Sequence, residues 1–171
     1  MIKERTKTVE LRFEREELLY DIRNIAYVEG DVMKGEEHEH NRHQVQDIGE
    51  DGNIDRVTRV LDLWVDYCRE KLFPVTKEDV ESGLVLEDDL VETDVYVINM
   101  LVPDDFSSTT CKYLERLIHE FLVDRVLADW FGIVYPDKAA WWLTKAGEIE
   151  DQIDSQLNKR TGRVRKFQSS F

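Results

Sequence analysis

The sequence has little cysteine, proline or glycine. Two cysteines, three prolines and eight glycines occur among 171 residues. Two cysteines without a C-x-x-C spacing do not make a disulfide framework, so Cys68 and Cys111 are expected to be reduced, buried thiols within helices. The scarcity of proline and glycine excludes collagen-like and low-complexity chains. Because 42% of the residues are hydrophobic, the chain has enough apolar material for one folded domain.

Long apolar runs and catalytic motifs are also lacking. No run of about 18 apolar residues is present, so no membrane span is predicted. The opening MIKERTKTVELRFERE has no apolar core of the signal-peptide type, so no secretory signal is predicted. No G-x-S-x-G, Walker loop or G-x-G-x-x-G occurs, and the many paired carboxylates do not single out an acid–base dyad. These observations favour a non-enzymatic protein, without a cofactor, made in a reducing cytosol.

Charge is distributed unevenly along the chain. Asp and Glu number 37 against 23 Lys and Arg, a net charge of −14. Residues 159–171 nevertheless contain five basic residues and no acidic one. An acidic body repels phosphate backbones, so sequence-specific nucleic-acid binding is not expected. A basic end can instead dock on an acidic neighbour, including a second copy of the chain.

The C-terminal residues 161–171 are predicted to form an extended arm, because they lack a helical apolar stripe. The alternative is a solvated, frayed terminus. In an arm, aromatic side chains would be apolar anchors in a neighbour while basic side chains pair with its acids. Trp141 is offset from the apolar face of its helix and is a candidate interface residue. The predicted partner contacts are Arg160, Arg163, Arg165, Lys166, Phe167, Phe171 and Trp141.

Apolar residues recur at helical spacing along most of the chain. Ile54, Val57, Leu61, Trp64, Cys68 and Leu72 give the clearest single face. The spacing predicts helices at about 14–33, 36–48, 54–73, 109–131 and 136–160, the third capped by Asn53. The last two are separated by only about four residues, so an antiparallel hairpin is expected, with Trp130 and Trp142 in the core.

Two stretches are predicted to be strands. Residues 6–13 alternate apolar and polar, and residues 93–102 are rich in β-branched residues. The second is apolar at nearly every position from Val95, which suggests that both of its faces are covered. Two strands alone are marginal, so they should pack on helices or be completed by a neighbouring subunit.

The fold class is therefore mainly α, an antiparallel helical bundle with a small two-stranded β element and extended terminal arms. Residues 1–13 form an N-terminal strand or arm, residues 14–160 form the helical core domain, and residues 161–171 form the basic C-terminal arm.

Three of the four histidines, His38, His40 and His43, crowd into EEHEHNRH. Imidazole and carboxylate are zinc-type ligands, but only His40 and His43 could share a helix face, and no cysteine lies nearby. A solvated polar helix without a metal is predicted. The calcium-loop pattern at 47–58 lacks a ligand at its third position and has Thr58 where a bidentate Glu is needed, so a loop followed by a helix is expected.

Three stretches carry a family resemblance. They are LLYDIRNIAYVEGDVM (18–33), RHQVQDIGEDGNIDRVTRVLDLWV (42–65), and an ending that joins the VPDDF turn (102–106) to two long helices and LNKRTGRVR (157–165). In these stretches, which cover most of the chain, it resembles small virion proteins encoded by tailed phages and prophages of gut Bacteroides-type bacteria. The helical hairpin with a short sheet and a terminal arm is also similar to head–tail connector (adaptor) proteins of long-tailed phages.

The resemblance implies a structural subunit of the virion neck without enzymatic activity. Connectors of this type pack as a ring, commonly twelve-fold, beneath the portal and around the DNA channel. The implied partners are further copies of the chain, the portal protein and another neck or tail protein. A tail terminator or other neck component is the nearest alternative. From a different class, a small cytosolic regulatory or metal-binding helical module would use the His38–His43 region.

Overall fold

The computed structural model describes residues 6–33 and 39–158. Within these ranges the chain is mainly α-helical with a small antiparallel sheet, as the sequence predicted. The helices are α1 (Arg15–Val32), α2 (Glu39–Gln46), α3 (Asp51–Lys71), α4 (Phe73–Thr76), α5 (Ser108–Val134) and α6 (Pro136–Asn158), and the strands are β1 (Thr6–Glu14) and β2 (Val95–Pro103). A 3-10 turn (Asp47–Gly49) leads from α2 towards α3.

The two strands pair along their whole length, in a register that places Leu11 opposite Ile98. One face of the sheet is buried on the helices, because apolar side chains alternate with polar ones in β1 and meet Tyr96, Ile98 and Met100 of β2. The other face of β2 is only partly covered, and Leu101 is exposed there. The expectation that both faces of this segment are covered is therefore wrong for the described chain.

The centre of the molecule is the hairpin of α5 and α6. Only Tyr135 separates the two helices, which run antiparallel as predicted. α5 also packs on α1, α2, α3 and β1. Four successive residues, Phe121 to Asp124, are buried, because neighbours surround the helix instead of covering a single stripe. Trp130 and Trp142 both lie in the core.

The third helix begins earlier than the sequence suggested. α3 starts at Asp51 with Glu50 at the N-cap position, so the prediction that Asn53 caps it is wrong. Asn53 lies in the first turn, where its side-chain amide donates to the carbonyl oxygen of Asp47 at 2.8 Å. This bond fastens the helix start to the preceding 3-10 turn.

α1 and α2 approach each other closely at Gly30. A Cβ atom on Gly30 would lie 2.6 Å from Cγ of Gln46 and 3.0 Å from the carbonyl oxygen of Arg42. The amide of Gln46 also donates to the carbonyl oxygen of Tyr27 at 3.1 Å. The small residue thus permits a direct contact between the backbones of the two helices.

Candidate interaction surfaces

The most unusual surface is the segment between α4 and β2, residues 77–94, called the acidic loop below. It has no helix or strand over its 18 residues, and every residue from Lys77 to Glu92 is exposed. It holds eight acidic residues and one basic residue. Structureless loops longer than about 12–15 residues are uncommon in compact domains and are usually functional or mobile.

Large apolar side chains are exposed along the same loop. Val80 is 83% exposed and Leu86 is 85% exposed, and four more apolar side chains of the loop are also exposed. The other exposed apolar residues are Leu84, Val85, Leu90 and Val91. Contiguous apolar surface bordered by acids is typical of a surface that binds another macromolecule.

A tight turn gives the acidic loop a defined shape at its middle. The N–H of Leu84 donates to the carbonyl oxygen of Glu81 at 3.3 Å. Gly83, at the third position of this turn, has a φ of 82°, a backbone conformation that side-chain-bearing residues rarely adopt. The stretch that follows the turn then runs back beside α3.

Two weak ion pairs attach the acidic loop to the body. Asp88 lies 3.5 Å from a guanidinium nitrogen of Arg59, and Glu92 lies 3.7 Å from one of Arg15. The other six acids of the loop form no ion pair with a described residue; they are Glu78, Asp79, Glu81, Glu87, Asp89 and Asp94. Most of the negative charge of the loop is therefore available to an external cation.

A groove of about 530 Å³ lies at the base of the acidic loop, between the end of α3, α4 and β2. Phe73 and Val97 contribute apolar surface to it, and Phe73 is half exposed. Arg69, Glu70 and Glu78 contribute charge. The groove is open to solvent and lies directly beside the first acidic residues of the loop.

The outer edge of β1 is a second candidate surface. The N–H of Arg15 donates to the carbonyl oxygen of Asp94 at 2.9 Å, which continues the register of the two strands. Hydrogen-bonded and non-hydrogen-bonded pairs alternate in an antiparallel ladder. The backbone groups of Thr8, Glu10 and Arg12 must then point away from β2, and none of them is hydrogen bonded to a described residue.

The outer edge of β2, in contrast, is partly capped by a side chain of α3. The carbonyl oxygen of Val97, opposite Arg12 in the sheet, accepts two bonds from the guanidinium of Arg69, at 2.7 and 3.3 Å. This contact independently confirms which residues of the ladder point outward. Among the described residues, β1 has no such contact at its outer edge, so its backbone groups are the more open to another strand.

A charged cluster joins the ends of α3 and α6. One carboxylate oxygen of Glu150 accepts from the hydroxyl of Tyr67 and from Nζ of Lys71 at 3.0 Å, and the other accepts from Arg125 at 3.2 Å. Lys71 also lies 3.0 Å from Asp154. The last turns of α3 and α6 are therefore at the same end of the molecule, where α4 and the acidic loop begin.

Arg125 is further enclosed by aromatic rings. Its guanidinium lies 4.2 Å from the ring centre of Trp64 and 5.1 Å from that of Phe121. The rings of Trp64 and Phe121 meet edge to face, with centres 5.7 Å apart. Every charged group of the cluster faces an opposite charge, as in a structural ion-pair network.

The pKa values of this region follow from those contacts. Burial alone would raise the pKa of Glu150, but the hydrogen bond from Tyr67 and the bonds and charges of Lys71 and Arg125 bring it below its ordinary value. The bond to Glu150 raises the pKa of Tyr67. Burial raises the pKa of Cys68 to about 12, so this thiol stays protonated at neutral pH and is a poor nucleophile.

The cysteine predictions are confirmed in part. Cys68 lies in α3 and Cys111 in α5, and both are free thiols. Cys68 is buried, whereas Cys111 is only half buried. Burial also raises the pKa of Cys111.

One carboxylate is completely buried between α5 and α6. Asp124 accepts from Nζ of Lys145 at 2.8 Å through Oδ1, while its Oδ2 has no hydrogen-bond partner. Burial raises the pKa of Asp124, against the opposing effect of Lys145. Lys145 also lies 3.6 Å from Glu120, whose negative charge raises the pKa of Asp124 further. The bond from Lys145 to Asp124 links α6 to α5.

Trp141, the one predicted partner contact within the described residues, is 55% exposed on α6. Its ring lies edge-on against that of Trp142, with ring centres 4.6 Å apart. Trp141 thus has a buried aromatic support and a solvent-facing surface. The predicted contacts Arg160, Arg163, Arg165, Lys166, Phe167 and Phe171 lie outside the described residues.

The histidine cluster is only partly within the described chain. His43 and His40 lie on α2 and are exposed, whereas His38 falls outside the described ranges. Within those ranges no group of three or more His, Cys, Asp or Glu is arranged to hold a metal ion. The alternative of a metal-binding module that uses the His38–His43 region stays a prediction.

Sequence reasoning missed the acidic loop as a surface. Its composition was visible, because LVLEDDLV places three successive acids between two short apolar runs. The outward direction of these side chains was not visible, because exposure depends on how α3 and β2 pack beneath the loop.

Comparison of the chain with protein-family models, with curated proteins and with solved structures finds no match. Among the helices that the structure describes, none has both the length and the apolar character needed to cross a bilayer.

Proposed function

We propose that this protein is a non-enzymatic structural subunit of a tailed-phage virion, a head–tail connector that assembles with copies of itself into a ring beneath the portal. The observation that carries the proposal is the acidic loop, a long exposed segment with apolar and acidic side chains on a well-packed helical body. A surface of this kind suits a subunit that is completed by assembly. The choice of a phage neck rests on the family resemblance of the sequence.

Two further observations support an assembly role. The outer edge of β1 carries unpaired backbone groups, to which another chain can add a strand. Trp141 is an exposed aromatic residue on a rigid helix, and aromatic residues are enriched in protein interfaces.

The net charge of −14 also suits a ring around a DNA channel. DNA must pass through such a ring without adhering to its wall. A negative surface repels the phosphate backbone, and it does so most strongly at low ionic strength.

The proposal is tested on particles of the phage or induced prophage that encodes the chain. Mass spectrometry of purified virions should find the protein at about twelve copies per particle. A cryo-EM reconstruction should place it between the portal and the tail. Deletion of its gene should leave filled heads without attached tails, and expression from a plasmid should restore joined particles.

Absence of the protein from purified particles would overturn the proposal, and so would a location in the capsid shell or in tail fibres. Deletion of a non-structural gene from the same genome is the matched control, because joined particles should then persist.

A further inference from the structure

The acidic loop presents charge and apolar surface for which the described chain has no counterpart. Six of its eight acids form no ion pair with a described residue, and its leucines and valines face solvent. A matching ligand must be basic and must carry apolar side chains. Residues 159–171 of this chain have that composition, with Arg163, Arg165 and Lys166 followed by Phe167 and with Phe171 at the end.

We infer that residues 159–171 of one copy bind the acidic loop of a second copy. This inference rests on the proposed function, and it names the surface and the segment through which the subunits join. The basic side chains pair with the unpaired acids of the loop, and the phenylalanines pack on its exposed apolar side chains and in the groove at its base.

Like charge determines which surfaces can meet. An acidic loop repels a second acidic loop, and a basic segment repels a second basic segment. The contact therefore joins two different surfaces, one from each copy. Such a heterologous contact can be repeated from copy to copy, and it produces a closed ring when the rotation closes.

The position at which the described chain ends also fits. Asp154, one helical turn before Asn158, pairs with Lys71 in the last turn of α3, so the described chain stops at the end of the molecule where the acidic loop begins. Thirteen residues can extend over about 45 Å. This reach is sufficient to cross to an adjacent subunit of this size.

Three full-length variants test the inference. The first neutralises the C-terminal segment with Arg163→Gln, Arg165→Gln and Lys166→Gln. The second neutralises unpaired acids of the loop with Glu81→Gln, Glu87→Gln and Asp89→Asn. The matched control removes three exposed, unpaired acids from helices outside the loop, with Asp55→Asn, Glu148→Gln and Asp151→Asn. Circular dichroism and thermal melts establish that each variant is folded.

Sedimentation velocity at tens of micromolar gives the readout. The wild-type protein and the control should associate at low ionic strength, and association should weaken by about tenfold or more when salt is raised. Each neutralised variant alone should be mainly monomeric. A mixture of the two should form a 1:1 complex, because the intact segment of one meets the intact loop of the other.

A variant with Phe167→Ala and Phe171→Ala separates the apolar contribution. It should bind more weakly than wild type while keeping the salt dependence, since its charges are intact.

Three outcomes would overturn the inference. They are a monomeric wild-type protein at low salt, a control variant as impaired as the loop variant, and a mixture that stays monomeric. The first is the result expected if the segment binds the loop of its own chain, and the last would show that the segment and the loop do not bind each other. These results are distinct from the particle experiments, because a protein found in the virion neck with no loop–segment contact would refute this inference and leave the proposed function standing.

Discussion

At the scale of single residues, Glu150 is the carboxylate that three helices share. It lies on α6 and accepts hydrogen bonds from Tyr67 and Lys71 of α3 and from Arg125 of α5. Its side chain is one-fifth exposed, so these bonds are only partly replaced by water when they are lost. The packing of α6 on α3 should therefore depend on this one side chain.

Replacing Glu150 by Gln should lower the free energy of unfolding by about 1–3 kcal/mol, because the bonds to Lys71 and Arg125 lose their charge. Urea denaturation followed by circular dichroism measures the change. Glu148→Gln, two residues earlier and exposed without an ion pair, is the control and should change stability by less than about 0.5 kcal/mol. Equal effects of the two variants would show that the cluster does not hold the helices together.

The difference in free energy of unfolding between the wild type and Glu150→Gln should become smaller in acid. The pKa of Glu150 in the folded protein lies below its ordinary value of 4.5, so its ionised form stabilises the native state. That contribution is complete above about pH 4.5 and is lost as the pH falls through the lowered pKa. Denaturation between pH 7 and pH 3 should show the wild type approaching Glu150→Gln. A constant difference across this range would contradict the linkage.

At the scale of helices and strands, the sequence predicted every long element but not all of their ends. Apolar spacing identified α3, α5 and α6 because each must cover a continuous core. The prediction that Asn53 caps α3 was wrong because a cap preference considers only neighbouring residues in the sequence. In the structure, the side chain of Asn53 bonds to the 3-10 turn that precedes the helix. The partial exposure of the second face of β2 could not be predicted from its apolar sequence, since an apolar run does not indicate which elements pack on each face.

The candidate surfaces were less predictable than the elements. The exposure of Trp141 followed from its angle on the helix, so it could be anticipated. Which edge of the sheet is the more open could not be predicted, because Arg69 reaches Val97 of β2 from a distant part of the chain. The close approach of α1 and α2 could be anticipated from Ala26 and Gly30, two small residues four positions apart on the same face of α1.

Gly30→Ala should destabilise the protein by about 1 kcal/mol or more, because the added methyl group meets Gln46 and the backbone of Arg42. Gly147→Ala, in α6 with open space around the position, should instead stabilise it by about 0.5–1 kcal/mol through helix propensity. Urea denaturation of both variants gives the comparison. If both substitutions stabilise equally, α1 and α2 are not in tight contact at this position.

At the scale of the whole molecule, the segments before and after the acidic loop pack together into one body. β1 pairs with β2 across it, and α3 and α1 pack on α5 across it. Cutting the loop should therefore leave the body intact. The loop is also the longest described stretch without regular structure, which makes its backbone accessible to a protease.

Limited digestion with a glutamate-specific protease at about 0.5 M salt should cut the acidic loop before any described helix, because Glu81 and Glu87 are exposed outside regular structure. High salt keeps the loop free of the C-terminal segment. Mass spectrometry locates the cut, and size-exclusion chromatography should show the two fragments eluting together. Separate elution of the fragments, or first cuts within the helices, would contradict this division of the molecule.

The pairing of β1 with β2 also has a consequence for synthesis on the ribosome. β1 is made first, yet its partner strand begins only at Val95. Until that stretch leaves the exit tunnel, Val9, Leu11 and Phe13 have no sheet to join and their apolar side chains stay unburied. The 80 residues between the two strands, and β2 itself, must therefore be translated before β1 can pair, so β1 stays unpaired on the nascent chain until then.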